Sequence, residues 1–378
     1  MAIITKGTFS YKLLFPLFAG LFYGGRNMCF KTDKENTNKK PELYKILLME
    51  IGMMLSIFIE IISIIKRKDV TKSQPIKEEF SKFFDKYKKE PKLILLVFLC
   101  FLLDITGFFL NFFSDLFGLG NAGKYEILFV ISIIRLSEFY FVCILTITWL
   151  KLPLYRHHYA GLIIISVGFI IFSIPSLFNK LNIQDIYIIC LSLGGNVIYS
   201  ILEIMEKWMM DFKFISPFET VGIQGMFGFI ILSFISIFKS NWISYSDFKK
   251  EEIKDIIAYV FASTGYNIFN HLTNKNLGPS HRVICDCFIS IVTIIYTIVS
   301  KISQDKLYIT ILGIMLIFIG IILYNEVIII NCCKIDENTK IKIDNRITEE
   351  NNKIDLLIKE RLTNITEEPT MNNNSFIY

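Results

Sequence analysis

Ionisable side chains occur inside long apolar stretches of this 378-residue chain. A charge at the centre of a membrane-spanning helix costs roughly 2.5–3.5 kcal/mol, so such a residue is expected to face the interior of a helix bundle or a water-filled cavity. Residues in these places therefore mark a candidate pathway for a solute or for protons. They are Glu50, Glu60, Asp104, Arg135, Glu138, Glu203, Glu206 and Asp286.

Asp104 and Arg135 are the deepest of these positions, in the third and fourth apolar stretches. An ion pair between them would neutralise both charges, either as a structural cross-link or as part of a solute site. Asp286 follows Arg282 by four residues, a spacing that allows a local ion pair on one helix face. Because Arg282 lies near the start of its stretch, a position at the membrane interface is the alternative.

The glutamates have simpler alternatives. Glu203 and Glu206 stand at the end of the sixth stretch beside Lys207, where the membrane interface would also accommodate them. Glu50 and Glu60 could lie near the two ends of their helix. The sequence leaves both interpretations open for these four residues.

The apolar stretches are the elements that must position these side chains. Each is close to the roughly 20 residues that a helix needs to cross the hydrocarbon core. Hydrophobic residues make up 53% of the chain, and its mean hydropathy is +0.49. The sequence therefore predicts an all-α membrane protein with ten transmembrane helices, at about 9–25, 45–65, 92–114, 125–150, 158–178, 183–206, 217–238, 254–274, 281–301 and 307–330.

The loops between the stretches carry the topological signal. The loop at 66–91 is rich in lysine, and the positive-inside rule places such a loop in the cytosol. Both termini are then cytosolic: a short N-terminus at 1–8 and a polar tail at 331–378, predicted to be disordered. The basic loops at 31–40 and 239–254 oppose this assignment.

Glycine spacing suggests two halves of five helices, at 9–178 and 179–330. In the first half Arg135 is followed by two glycines seven residues apart, and in the second half Arg282 is followed by another such pair. Internal repeats of this kind are common in secondary transporters. Glycines on one helix face also allow close helix packing. The predicted packing residues are Gly161, Gly168, Gly313 and Gly320, together with Gly222, Gly225 and Gly228 in the seventh stretch.

Several classes of function are disfavoured. The net charge of +5 is spread over loops and tail, which does not indicate a nucleic-acid surface. The scattered cysteines and four histidines offer no metal spacing, and we expect no cofactor. His157 and His158 lack an acidic neighbour in sequence, so an enzyme is disfavoured. A phosphate-binding GxxxxGK[ST] loop is absent, so direct use of ATP is not expected.

Four stretches resemble the drug/metabolite transporter superfamily, and within it the F-type orphan branch of the solute carrier 35 family, which contains nucleotide-sugar transporters. Leu103-Asp104-Ile-Thr106-Gly107 is similar to that family's Asp-x-Thr-Gly element, and Ile134-Arg135-Leu-Ser137 to its Leu-Arg-Gly-Ser element. Met205-Glu206-Lys207 followed by Ile215-Ser216-Pro217-Phe218-Glu219 resembles its junction of the sixth and seventh spans. Tyr266 to Asp286 runs in the family's register without a gap.

The resemblance covers most of residues 10–326, and the order and spacing of its elements are more specific than any one of them. It implies two inverted five-helix repeats around a central site that opens alternately to each side of the membrane. It favours a substrate cavity built from the third, fourth, eighth and ninth spans. The matching polar residues are Asp104, Thr106, Arg135, Asn267, Arg282 and Asp286, and Glu138 is a further candidate for proton coupling.

Some positions depart from the family pattern. The F-type branch has an arginine shortly after the aspartate of the ninth span, whereas this chain continues Asp286-Cys-Phe-Ile-Ser. Leu136 replaces the glycine of the fourth-span element, and Met205 replaces an acidic residue. Because phosphate recognition uses Arg or Lys contacts, the missing cation weakens the assignment of a nucleotide sugar.

The expected function is therefore secondary-active transport of a small organic solute, such as a nucleotide sugar or a related anionic metabolite. Transport would proceed by alternating access, as antiport or coupled to protons. The alternative is a non-transporting membrane scaffold or receptor of transporter ancestry. The expected partners are the solute and the lipid bilayer, with a homodimer left open, and an endomembrane of Golgi or lysosome type is favoured over the plasma membrane.

Overall fold

The computed structural model describes residues 4–6, 43–71, 85–120, 137–177, 183–238, 253–283, 304–326 and 328–330, with scattered positions between 15 and 22, at 134 and between 339 and 357. Eight long helices lie within these residues: α1 (Leu43–Thr71), α2 (Lys92–Gly120), α3 (Ser137–Thr148), α4 (Arg156–Leu177), α5 (Ile183–Phe212), α6 (Pro217–Phe238), α7 (Ile253–Asn276) and α8 (Gln304–Tyr324). Two short strands, β1 (Ile4–Lys6) and β2 (Ile328–Ile330), complete the described elements.

Four of the described helices contain segments long and apolar enough to cross a membrane: Ile46–Ser63, Lys92–Asn111, Ile186–Phe212 and Pro217–Ile235. Three shorter apolar helical segments are Ser137–Thr148, Arg156–Phe172 and Ile311–Tyr324. Large apolar side chains point outward from these helices, for example Leu95, Ile163 and Ile230. The structure is therefore helical and compatible with a multi-pass membrane protein.

The prediction of a helical protein is confirmed, and four of its described helices are long and apolar enough to cross a membrane. The count of ten spans and the inverted repeats stay predictions, since most of the first and ninth apolar stretches lie outside the described residues. The terminal segments at 1–8 and 331–378 are likewise described at only a few positions. α7 is not among the four membrane-crossing candidates, in keeping with the polar residues of the eighth stretch.

The chain forms two compact units. The main unit comprises Ser10–Pro153 and Ser166–Phe318, and the terminal unit comprises Met1–Phe9, Leu154–Ile165 and Ile319–Tyr378. These units follow spatial contacts, whereas the predicted halves at 9–178 and 179–330 follow chain order. The division into halves stays a prediction.

The main unit is held together by pairs of packed helices. α1 contacts α6 and α7, α2 contacts α5 and α6, and α3 contacts α5. Between α2 and α5 lies an apolar core that includes Leu93, Val97, Leu202 and Met209, all buried. This packing fixes the positions of the polar side chains that α5, α6 and α7 carry.

Glycines bring α6 close to α1. A Cβ at Gly225 would lie 2.7 Å from the Cβ of Met53 and 2.8 Å from the carbonyl oxygen of Glu50. Gly222 and Gly228 line the same contact one turn away on each side, and the carboxyl group of Glu50 lies directly on Gly228. Larger residues at these positions would push the two backbones apart.

α4 and α8 also approach each other through glycine. In the main unit, a Cβ at Gly168 would lie 2.9 Å from the carbonyl oxygen of Gly313, and one at Gly313 would lie 2.8 Å from that of Gly168. In the terminal unit, Gly161 and Gly320 are related in the same way, at 2.9 Å in each direction. The two seven-residue glycine pairs seen in sequence are therefore partners in space.

The terminal unit joins segments from both ends of the chain. β1 and β2 pair antiparallel, with Ile4 opposite Ile330 and Lys6 opposite Ile328. In the same unit the buried His157 contacts Glu326, with Nε2 2.9 Å from Oε1. The fold thus supplies an acidic neighbour that the sequence around His157 lacks.

Candidate functional site

A cluster of buried charges forms where the ends of α5 and α7 meet the segment that follows α7. Glu203 and Glu206 are three residues apart on α5, so both carboxylates emerge on one face of the helix. Arg282 lies just after the turn that ends α7. All three side chains are buried: Glu203 is 2% exposed, Glu206 1% and Arg282 9%. Two carboxylates and a guanidinium therefore share a site that excludes water.

Arg282 joins the two carboxylates. Its Nη1 donates to Oε2 of Glu206 at 2.5 Å, and its Nε lies 3.1 Å from Oε1 of Glu203. A guanidinium presents several donors in one plane, so it can bind two carboxylates at once, which a lysine ammonium does less well. Charge-assisted contacts of this kind fix the distance between α5 and the residues after α7.

The second oxygen of Glu206 has its own partners. Gln224 of α6 donates from Nε2 to Oε1 at 3.1 Å, and Nε2 of His271 on α7 lies 3.1 Å from the same oxygen. The other ring nitrogen of His271, Nδ1, is 2.9 Å from the carbonyl oxygen of Asn267, one turn earlier in α7. Because a carbonyl oxygen only accepts, Nδ1 carries a hydrogen.

Further hydrogen bonds tie the ends of α5 and α7 together. The buried Asn274 donates from Nδ2 to the carbonyl oxygen of Glu203 at 2.9 Å. Lys207 donates to the carbonyl oxygen of Lys275 at 2.7 Å and pairs with Asp211 at 3.1 Å. The ammonium of Lys207 is thus neutralised by its own helix and caps a carbonyl at the end of α7.

The predicted site residues are partly brought together. Arg282 is at the centre of the cluster, and Asn267 is at its edge, where its side-chain amide donates to the carbonyl oxygen of Ser263 at 3.0 Å. Asp104 is half-buried on α2. Arg135 and Asp286 lie outside the described residues, so their pairing with Asp104 and Arg282 stays a prediction.

The two remaining predicted residues make local contacts. Thr106 is exposed on α2, and its hydroxyl donates to the carbonyl oxygen of Leu102 at 2.6 Å. Glu138 is half-buried in the first turn of α3, and its backbone carbonyl accepts from the hydroxyl of Ser200 at 3.2 Å. The role of these residues in a substrate cavity stays a prediction.

Part of the cluster was not predicted from the sequence. For Glu203 and Glu206 the sequence allowed either the membrane interface or the bundle interior, and both side chains are buried. It placed Arg282 at the start of a span with an interfacial alternative, and the side chain is buried too. Gln224 and His271 were not predicted as site residues. The available signals were the spacing of three between the two glutamates and the polar character of the eighth stretch.

A second polar cluster lies near the start of α6. Ser216 and Glu219 form a capping box: the Ser216 hydroxyl accepts from the backbone N–H of Glu219, and Oε2 of Glu219 accepts from that of Ser216, both at 3.1 Å. The Ser216 hydroxyl also donates to Oε2 of Glu60 at 2.7 Å. Glu60 therefore binds the start of α6 from α1.

The same capping box receives residues from the segment that precedes α2. The hydroxyl of Tyr87 donates to Oε1 of Glu219, and the ammonium of Lys86 lies 3.4 Å from the same carboxylate. Burial and the Glu219 carboxylate raise the pKa of Tyr87 well above its usual range. The end of the basic loop at 66–91 thus lies beside the connection between α5 and α6.

No protein-family model matches this sequence. No curated protein matches it either. Among 28 matching chains of solved structures is a protein described as "Crystal structure of protein". The match has a TM-score of 0.51 at 13% identity and covers 84% of this chain and 96% of that one. This chain is therefore similar in fold, along most of its length, to a protein of known structure.

Proposed function

We propose that this protein is a secondary-active membrane transporter of a small organic solute. It works by alternating access in an endomembrane, with both termini in the cytosol. The observation that carries the proposal is the buried ionic cluster of Glu203, Glu206 and Arg282, whose two carboxylates lie in the apolar, membrane-length segment Ile186–Phe212 of α5.

The energetics of buried charge support a functional role. Placing charges in a bilayer is expensive, and a buried ion pair adds little net stability compared with well-packed apolar residues. A cluster of this kind is retained most readily where its charges act on a solute or an ion. Arg282 also belongs to the set that the family resemblance assigns to a substrate cavity, which supports the same role.

The contacts of Arg282 bear on the class of solute. Its guanidinium already binds Glu203 and Glu206. An anionic solute would therefore compete with these two carboxylates for Arg282, which would couple binding to rearrangement of α5. The resemblance favours a nucleotide sugar or a related anionic metabolite as that solute, with Arg135 as a second predicted cation.

The test is flux into proteoliposomes, preceded by a thermal-shift screen of the purified protein. The screen uses nucleotide sugars, nucleotides, amino acids and sugar phosphates, and each solute that raises the melting temperature is then assayed for uptake in radiolabelled form. We expect at least one such solute to be transported, and we expect Arg282→Lys and Arg135→Ala to reduce its uptake at least tenfold.

The matched control is Lys213→Ala, because Lys213 pairs with the exposed Glu90 at 3.0 Å and exposed pairs contribute little. Uptake by this variant should equal that of the wild type. A folded protein that moves none of the screened solutes would count against transport and would favour a scaffold or receptor.

A further inference from the structure

The Glu206–His271 contact joins two groups that can exchange a proton. Both are buried, with 1% and 2% of their surfaces exposed, and they come from different helices, α5 and α7. Nδ1 of His271 already donates to the carbonyl oxygen of Asn267, so its Nε2 is the nitrogen that meets the carboxylate. A proton at this contact belongs either to the imidazole or to the carboxyl group.

The carboxylates of the cluster favour a proton on His271. Glu203 and Glu206 bring two negative charges to the site, where Arg282 contacts both, while Lys207 pairs with Asp211. Nε2 of His271 lies 3.1 Å from Oε1 of Glu206. A carboxylate at this distance stabilises an imidazolium.

Glu206 has partners besides His271. Gln224 of α6 donates to one carboxylate oxygen and Arg282 to the other. Among the described residues, the charge of Glu206 also acts on Cys100 of α2, and Glu203 and Lys207 are its charged neighbours on α5.

We propose that Glu206 and His271 form a proton-binding site, and that the proton bound there is the one that drives transport. The second half of this inference rests on the proposed function. The bound proton offsets carboxylate charge beside Arg282, and when it leaves, Glu203, Glu206 and Arg282 carry the remaining charges. Asn267, a predicted cavity residue, holds His271 in place through its carbonyl group.

The first test is direct observation of the imidazole by NMR. The chain has four histidines, so a sample labelled with ¹⁵N-histidine gives few signals, and His271→Gln identifies those of His271. An imidazolium shows two similar ¹⁵N shifts, whereas a neutral ring shows two widely separated ones. In the wild type we expect the two similar shifts of an imidazolium, because Nδ1 donates to a carbonyl oxygen and Nε2 faces a carboxylate oxygen.

Replacing one carboxylate of the cluster should make the imidazolium form of His271 less stable. Glu206→Gln should shift His271 to the neutral ring at a pH where the wild type has the imidazolium. Glu203→Gln should act in the same direction and serves as a second variant if Glu206→Gln does not fold. His281→Gln is the matched control and should leave the His271 signals unchanged. A neutral His271 in the wild type, or His271 signals that are the same in both carboxylate variants as in the wild type, would overturn the proton site.

The second test measures uptake of the solute found in the screen under pH gradients of opposite direction. We expect wild-type uptake to differ at least fivefold between the two gradients, and His271→Gln to abolish the difference. If solute uptake is the same under both pH gradients, transport is not coupled to the proton. A titrating His271 in a protein that moves no solute supports the proton site and overturns the proposed function, so the two failures are distinguishable.

Discussion

At the scale of single residues, the same side-chain type has different consequences in different surroundings. Glu90 pairs with Lys213 at an exposed position, where an ion pair contributes roughly 0–1 kcal/mol. Glu206 is buried with Arg282, where removal of one partner typically costs about 3–5 kcal/mol because the other charge is left uncompensated. Burial, more than residue type, therefore decides how much a charged contact contributes to stability.

Tyr87 provides a residue-scale prediction that depends on pH. Its hydroxyl donates to the Glu219 carboxylate, and hydrogen bonds to charged groups contribute about 1.5–3 kcal/mol. Tyr87→Phe should lower the free energy of unfolding by about that amount at pH 8, measured by denaturation of the purified protein in detergent. The exposed Tyr187→Phe is the control and should have little effect.

The sign of the pH dependence follows from the raised pKa of Tyr87 in the folded state. Above about pH 10 the unfolded chain releases the phenolic proton while the folded protein retains it, so the stabilisation by Tyr87 falls by about 1.4 kcal/mol per pH unit. The difference between wild type and Tyr87→Phe should therefore shrink above pH 10. A difference that stays constant or grows there would contradict the buried Tyr87–Glu219 contact.

At the scale of elements, glycine decides how close the helices can approach. α1 and α6 meet along Gly222, Gly225 and Gly228, and this contact places the capping box of α6 beside Glu60 of α1. Gly194 of α5 is less restricted: among the described residues, a Cβ there would meet Leu110 of α2 at an ordinary contact distance of 3.6 Å. The geometry thus separates glycines needed for packing from glycines that tolerate a side chain.

These two classes of glycine predict opposite effects of the same substitution. Gly225→Ala places a methyl group 2.8 Å from a backbone oxygen of α1, and overpacking of this kind costs about 1–3 kcal/mol. Gly194→Ala has ordinary contact distance and should stabilise α5 by up to about 1 kcal/mol. Thermal unfolding of both variants is the measurement, and equal effects would rule out the α1–α6 contact as described.

At the scale of the whole molecule, the ends of the chain constrain topology. β1 and β2 pair with each other, so a segment close to the N-terminus lies beside the segment that follows α8. The basic loop at 66–91 predicts that both termini are in the cytosol, which requires an even number of membrane crossings. This topology stays a prediction.

The tail supplies a direct test of this topology. It contains two glycosylation sequons, at Asn364 and Asn373. If the tail is cytosolic, neither asparagine should be glycosylated when the protein is made in the presence of microsomes, as judged by a gel shift after deglycosylation. Asn38→Thr creates the sequon Asn36-Thr-Thr in a loop predicted to face the lumen and should gain one glycan. Glycosylation of the tail would reverse the assignment.

Much of the local structure followed from sequence alone. A run of about 20 apolar residues must form a helix in a membrane because its backbone groups have no other hydrogen-bond partners. The seven-residue glycine pairs are also local patterns. They were visible because seven residues span about two helical turns, which places both glycines of a pair on one helix face.

The identity of the buried cluster depended on tertiary structure. Arg282 and Glu206 are 76 residues apart, and His271 comes from a third segment. Which faces of α5, α6 and α7 meet is set by helix packing, including the glycine contacts of α6, and no local pattern encodes it. In the described structure Arg282 contacts Glu203 and Glu206, and the ion pair with Asp286 that its spacing of four allows stays a prediction. The sequence by itself determined that charges enter the membrane helices, and only their packing determined which charges meet.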